Sequence, residues 1–257
     1  MKRAAALLAF AIAACGAEEP QAEPQRDCAA VIFEDAALTH CIADPTKHVI
    51  RTALDGRDGK PARSFAVLAE SLPDPGQLAF AMNAGMYDED GNPIGYYVEH
   101  GERRHTLNRN DGAGNFHLKP NGVFYGSGGV WQIRSTDDFA ANVSDRPEFA
   151  TQSGPMLVIG GKLHPGFDEN GQSRKIRNAV GIDAQGRAHF VISETPVSFG
   201  KLARYFRDRL KTPNALFLDG SVSQLWDPGH HRMDEGVPLG PFILIERQVD
   251  PASVGKR

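Results

Sequence analysis

Leu78-Ala79-Phe80-Ala81-Met82-Asn83-Ala84-Gly85-Met86-Tyr87 is the stretch on which the reading of the fold turns. An apolar run reaches an amide and then a glycine, which places a polar side chain where the chain can turn sharply. A short apolar run stopped by turn residues reads as a strand. The same pattern recurs on both sides of it, at Ala29–Phe33, Leu38–Ile42, His48–Ala53, Tyr96–Glu99, Gly122–Tyr125 and Val130–Ile133. It continues at Met156–Ile159, Ala179–Asp183, Ala188–Ile192, Ala215–Leu218 and Phe242–Ile245. Gly, Pro, Asn or Asp punctuates each segment, as strand ends require. Helical spacing is confined to Pro61–Ser71, with Phe65 and Leu68, and Phe199–Lys211, with Ser198 as its N-cap. Many short strands with few helices predict an α+β domain of mixed or antiparallel sheets. The 27 glycines and 17 prolines imply long structured loops, where sites usually sit.

The N-terminus sets the expected compartment. Lys2 and Arg3 precede an apolar run from Ala4 to Ala14, too short for a bilayer core of about 30 Å, which needs roughly 20 apolar residues. It reads as a secretory signal over residues 1–14. Ile12-Ala13-Ala14-Cys15-Gly16 looks like a lipobox with Cys15 as the acylated residue; an ordinary signal peptide with an incidental cysteine is the alternative. Residues 15–27 are acidic, polar and proline-bearing, and read as a flexible tether. Residues 28–250 then form a single domain, long enough for one sizeable core. The expected location is the bacterial cell envelope, with the protein lipid-anchored to a membrane and facing the periplasm or the exterior. Beyond that anchor no membrane contact is expected. A net charge of −4 provides no general attraction for nucleic acid, so phosphate recognition needs a local basic pocket.

With Cys15 assigned to lipid, Cys28 and Cys41 remain, and an even pair in an oxidising compartment reads as a disulfide. A hairpin turning at Glu34-Asp35 places the two opposite each other at a non-hydrogen-bonded pair, where side chains approach closest. Closing so short a loop stabilises by about 3 kcal/mol. Two buried thiols are the alternative.

Five segments pair a strand with a polar, glycine-bearing turn: Phe80–Tyr87, Gly114–Phe124, Thr151–Leu157, Ile176–Ile182 and Leu216–Leu225. Singly, each has a plain explanation, since Asn-Gly and Asp-Gly are ordinary turns and Lys119 or Arg177 could be solvated charges. Jointly they supply amides and hydroxyls for a sugar, cations for a phosphate and a carboxylate for catalysis.

In this order the five segments resemble the phosphodiester glycosidase family, from about Leu78 to Ile245. The resemblance rests on Lys119-Pro120-Asn121-Gly122, Gln152-Ser153-Gly154-Pro155, Arg177-Asn178-Ala179-Val180-Gly181 and Leu218-Asp219-Gly220. It implies an exported hydrolase that cleaves the glycosidic C–O bond of a sugar-1-phosphodiester in a glycoconjugate. Asp219 is then the expected nucleophile or general base, and Glu194 the candidate partner acid. Arg177 and Lys119 would stabilise the departing phosphate. Asn83, Asn121, Gln152, Ser153, Asn178 and Ser223 would hold sugar hydroxyls or phosphate oxygens, with Gly85 and Gly220 shaping the backbone around them. One departure stands out: Val222 occupies a position where relatives carry glycine. A non-catalytic envelope protein that binds glycan or phosphoglycan is the alternative function.

No cofactor is expected. A divalent cation stays open through His230-His231 with Asp227 and Asp234, although adjacent histidines point different ways. Asp88-Glu89-Asp90-Gly91-Asn92 lacks the glycine position and terminal glutamate of a calcium loop, and reads as a solvated turn. No serine-hydrolase elbow, Walker loop or paired C-x-x-C occurs.

Overall fold

The computed structural model describes residues 26–219 and 222–248. The expected leader, the Cys15 lipidation site, the tether as far as Gln25, and Gly220 lie outside the described residues. Three antiparallel sheets carry the fold. The first runs in the order β1 (Cys28–Phe33), β2 (Ala36–Ala43), β13 (Ala188–Ser193), β12 (Asn178–Ile182), β14 (Asn214–Phe217), β10 (Met156–Ile159), β11 (Lys162–Leu163). The second is β16 (Arg232–Met233), β15 (Leu225–Asp227), β4 (Leu78–Asn83), β17 (Phe242–Arg247), β3 (His48–Ala53). The third is β6 (Glu102–His105), β5 (Tyr97–Glu99), β9 (Phe149–Ser153), β7 (Gly122–Ser127), β8 (Val130–Ser135).

One core joins them. Phe190, Val180 and Leu216 of the first sheet pack with Phe80, Met82 and Ile243 of the second and Phe124, Ile133 and Phe149 of the third. Phe80 and Phe124 both meet Phe190 edge-on, at centroid distances of 5.5 and 5.9 Å. Because β4 is buried along its whole length, its sequence is a continuous apolar run instead of an alternating one.

The expected hairpin forms with both turn residues, Glu34 and Asp35, at positive φ, as a two-residue turn of this hand requires. Cys28 pairs with Cys41 across it, and the two form a disulfide. The Ile42 N–H donates to Asp27 O at 2.9 Å. The hydrogen-bonded pair is therefore one step outward, and the cysteines occupy the close, non-hydrogen-bonded position.

Both expected helices are shorter than their sequence pattern. α1 covers Phe65–Ser71 with Ser64 as N-cap, because Arg63 is left-handed at φ 63° and Pro61 bridges to Asp55. α3 covers Phe199–Arg204 and passes into a wider π turn over Tyr205–Arg209. A third helix, α2 (Thr136–Asn142), has no counterpart among the sequence expectations; Ser135 caps it. No helix among the described residues is long and apolar enough to cross a membrane.

Candidate active site

Strand ends from all three sheets meet at one place. β4 ends on Asn83, β9 on Gln152 and Ser153, β12 begins on Asn178, and β14 leads out through Leu218 to Asp219. Asn178 Nδ2 donates to Asn83 O at 3.0 Å and to Asn83 Oδ1 at 2.9 Å. Asn178 Oδ1 accepts the Asp219 N–H at 2.9 Å. Asn83 Nδ2 donates to Val222 O at 2.7 Å, and Asn83 Oδ1 accepts the Gln224 N–H at 2.9 Å. Ser153 Oγ donates to Leu218 O, and Ser223 Oγ donates to Asp219 O at 3.0 Å.

The residue types follow from the geometry. An amide donates and accepts at once, so a single Asn can satisfy main-chain groups of two different sheets; a carboxylate could only accept. Asn83 and Asn178 therefore act as clamps on the main chain of Asp219, Val222 and Gln224. Asp219, the first of these, is buried. The Val222 side chain packs against the cluster of Ala62, Leu239 and Phe242.

Other expected site residues are anchored in the same manner. Gln152 uses both ends of its amide: Oε1 accepts from Tyr96 N–H and Asn108 N–H, and Nε2 donates to Asn108 O and Thr136 Oγ1. Asn121 Nδ2 donates to Phe116 O at 2.9 Å. Gly85 is required by close approach and not by a special dihedral. A Cβ there would fall 2.3 Å from Gln152 O, while the Gly85 N–H donates to Thr151 Oγ1 at 3.0 Å. Lys119 is exposed and paired with Asp111 at 2.6 Å.

Two expected residues turn their side chains to partners outside this cluster. Glu194 is exposed at the end of β13, and its Oε1 accepts from Thr39 Oγ1 and Arg232 Nη1, both at 2.6 Å. It ties β2, β13 and β16 together. Arg177 is only 1% exposed. Its Nε donates to Val197 O at 2.9 Å, its Nη2 to Ser173 O at 3.0 Å, and its guanidinium lies 3.7 Å over the Phe199 ring. Burial brings its pKa down to about 10, so it remains a cation at neutral pH.

Tyr87 closes the first of the five segments but carries no role in the sequence reading, and Arg63 was not marked by the sequence. Tyr87 lies four residues past Asn83, and its hydroxyl donates to Pro238 O at 2.7 Å. Burial, and after it the Asp219 charge, push its phenol up to about 12, against the opposing effect of Arg63. Arg63 covers the Tyr87 ring at 5.4 Å. A left-handed arginine inside a helix-like pattern leaves no local signal.

Among the described residues no group of three or more His, Cys, Asp or Glu is arranged to hold a metal. His230 Nδ1 pairs with Asp227 at 2.6 Å, whereas Asp234 is bound to Arg232. A cavity of about 560 Å³ lies elsewhere, between α1 and β3, with Arg51, Asp55, Leu68 and Leu244 among its walls.

The pattern of the phosphodiester glycosidase family matches residues 76–243, which hold every strand end of this cluster. The uncharacterized protein YigE of Escherichia coli (strain K12) is 34% identical over 228 residues, covering 84% of this chain and 89% of the relative. The catalytic domain of zebrafish N-acetylglucosamine-1-phosphodiester alpha-N-acetylglucosaminidase, auto-inhibited by its pro-peptide, superposes with a TM-score of 0.58. The two share 14% identity over 86% of this chain and 82% of that one. A protein of Burkholderia pseudomallei K96243 described as exported superposes at 0.54, with 10% identity over 82% and 74%. At such identities the superpositions speak for the fold alone. The family pattern covers most of the chain, and its segments are the ones that converge around Asp219: the chain belongs to the phosphodiester glycosidase family.

Proposed function

We propose that this protein is an exported hydrolase that cleaves the glycosidic C–O bond of a sugar-1-phosphodiester, with Asp219 as nucleophile or general base. The observation that carries the reading is the placement of Asp219. Its main chain is clamped by Asn178 where the ends of three sheets meet, so its position is fixed before any ligand arrives. Hydrolysis at an anomeric carbon develops positive charge on the sugar, and a fixed carboxylate stabilises that charge or activates water against it. The departing phosphate monoester leaves readily, so the chemistry needs anion stabilisation more than a strong acid. Because Glu194 is held by Arg232, the reading rests on Asp219 alone among the carboxylates. The amides act as positioning residues for the loop. The Cys28–Cys41 disulfide supports a location outside the cytoplasm. Lipid attachment at Cys15 completes the proposal.

A panel of sugar-1-phosphodiesters offered to the purified protein tests this. Release of free sugar and phosphomonoester, abolished in Asp219→Asn while ligand binding persists, is the expected result. Binding without turnover by the unaltered protein would instead identify a glycan-binding protein.

A further inference from the structure

We infer that Arg63 is the cation that binds the phosphoryl group of the ligand in the Asp219 site, an inference resting on the phosphodiester reading above. Arg63 lies outside the segment matched by the family pattern, so family membership assigns it nothing.

The position is built around this side chain. Arg63 adopts φ 63°, an uncommon conformation for a residue with a Cβ, and such strain persists only where the surroundings hold it. The Leu239 N–H does so, donating to Arg63 O at 2.8 Å. On the side-chain side, Gly91 makes room: a Cβ there would fall 1.9 Å from Arg63 Nη1. The Tyr87 ring supports the guanidinium from another direction, at 5.4 Å.

The charge held in place in this way has no carboxylate against it among the described residues. No described acidic side chain lies within ion-pair distance of Arg63, although Asp88, Glu89 and Asp90 sit in the adjoining turn. Nη1 is buried with no hydrogen-bond partner, and Nη2 reaches only Glu89 O at 3.4 Å, long for a charged donor. An arginine fork left this incomplete matches two oxygens of a phosphate.

Proximity to the site comes through two contacts. Arg63 covers Tyr87, which follows the Asn83–Gly85 turn. Its neighbour Ala62 belongs to the cluster against which Val222 of the Asp219–Gln224 segment packs. Of the other two candidate cations, Lys119 is paired with Asp111, and Arg177, although its Nη1 is likewise buried with no hydrogen-bond partner, is stacked on Phe199 and holds its Nε and Nη2 on Val197 O and Ser173 O.

The test is calorimetric titration of inorganic phosphate into the full chain at pH 7. Phosphate should bind the unaltered protein, and Arg63→Gln should weaken it tenfold or more at unchanged melting temperature. Arg63→Lys keeps the charge but loses the fork, and should fall between the two. If the Gln variant does not fold, the Lys variant carries the test, and phosphate affinity equal to that of the unaltered protein overturns the inference. Equal affinity in Arg63→Gln, or no phosphate binding by the unaltered protein, overturns it as well. Turnover is read separately: Arg63-dependent phosphate binding without hydrolysis upholds the anion site and defeats only the hydrolase reading.

Discussion

Asn178 Oδ1 accepts the Asp219 main-chain N–H at 2.9 Å while its Nδ2 reaches Asn83 O and Oδ1, so one side chain fixes the loop after β14 to the end of β4 in another sheet. Asn178→Ala strands a buried N–H and weakens two acceptors. With each unmet group costing ~1–3 kcal/mol, a stability loss of about 3 kcal/mol is expected in urea unfolding. A loss below about 0.5 kcal/mol would mean that water replaces the amide and the clamp does not operate.

Asp219→Asn separates chemistry from turn geometry. The amide keeps the shape and can still accept a hydrogen bond. Loss of a nucleophile or base should lower turnover of a sugar-1-phosphodiester by at least about a hundredfold. A folded variant with near-normal rate would reduce Asp219 to a turn residue.

The buried chain Asp183–His189–His40 predicts a pH dependence of stability. His189 Nε2 lies 2.9 Å from Asp183 Oδ2, and His40 Nε2 lies 2.9 Å from His189 Nδ1. Burial first, then the charges of His189 and Arg187, hold the His40 imidazole down to about 4. The unfolded chain, with His near 6.5, binds the proton more tightly. The His40 contribution is therefore complete above about pH 6.5, declines as pH falls toward 4, and adds no further slope below that. Melting curves of His40→Gln should be flatter across this window; an unaltered slope would assign the dependence to other groups.

The Cys28–Cys41 bond closes a separation of 13 residues in the hairpin that begins the domain. Cys28→Ser should cost about 3 kcal/mol. Intact mass with and without reductant should differ by two hydrogens, and identical masses would leave two thiols.

Cys15→Ser should release the protein from membranes into the soluble envelope fraction. Retention of the variant on membranes would count against lipid anchoring.

The sequence by itself determined the local units and the family. His48–Ala53 and Met156–Ile159 form strands with the expected bounds, and the Glu34-Asp35 turn brings Cys28 opposite Cys41. These depend on side-chain period and turn chemistry within a few residues, which a chain carries in its own order. β6, Glu102-Arg103-Arg104-His105, has no apolar residue and is a strand only because β5 pairs with it. Phe149–Ser153 is absent from the expected strands, yet it is a fully buried strand between β5 and β7. The amides were legible as polar candidates at strand ends but not as clamps, since their main-chain partners lie up to 141 positions away. Only the tertiary structure decided that Arg177 is sealed beneath Phe199, that Glu194 is held by Arg232, and that Arg63 Nη1 is buried with no hydrogen-bond partner. A residue type states which bonds a side chain can make, whereas packing between sheets decides which of them it makes.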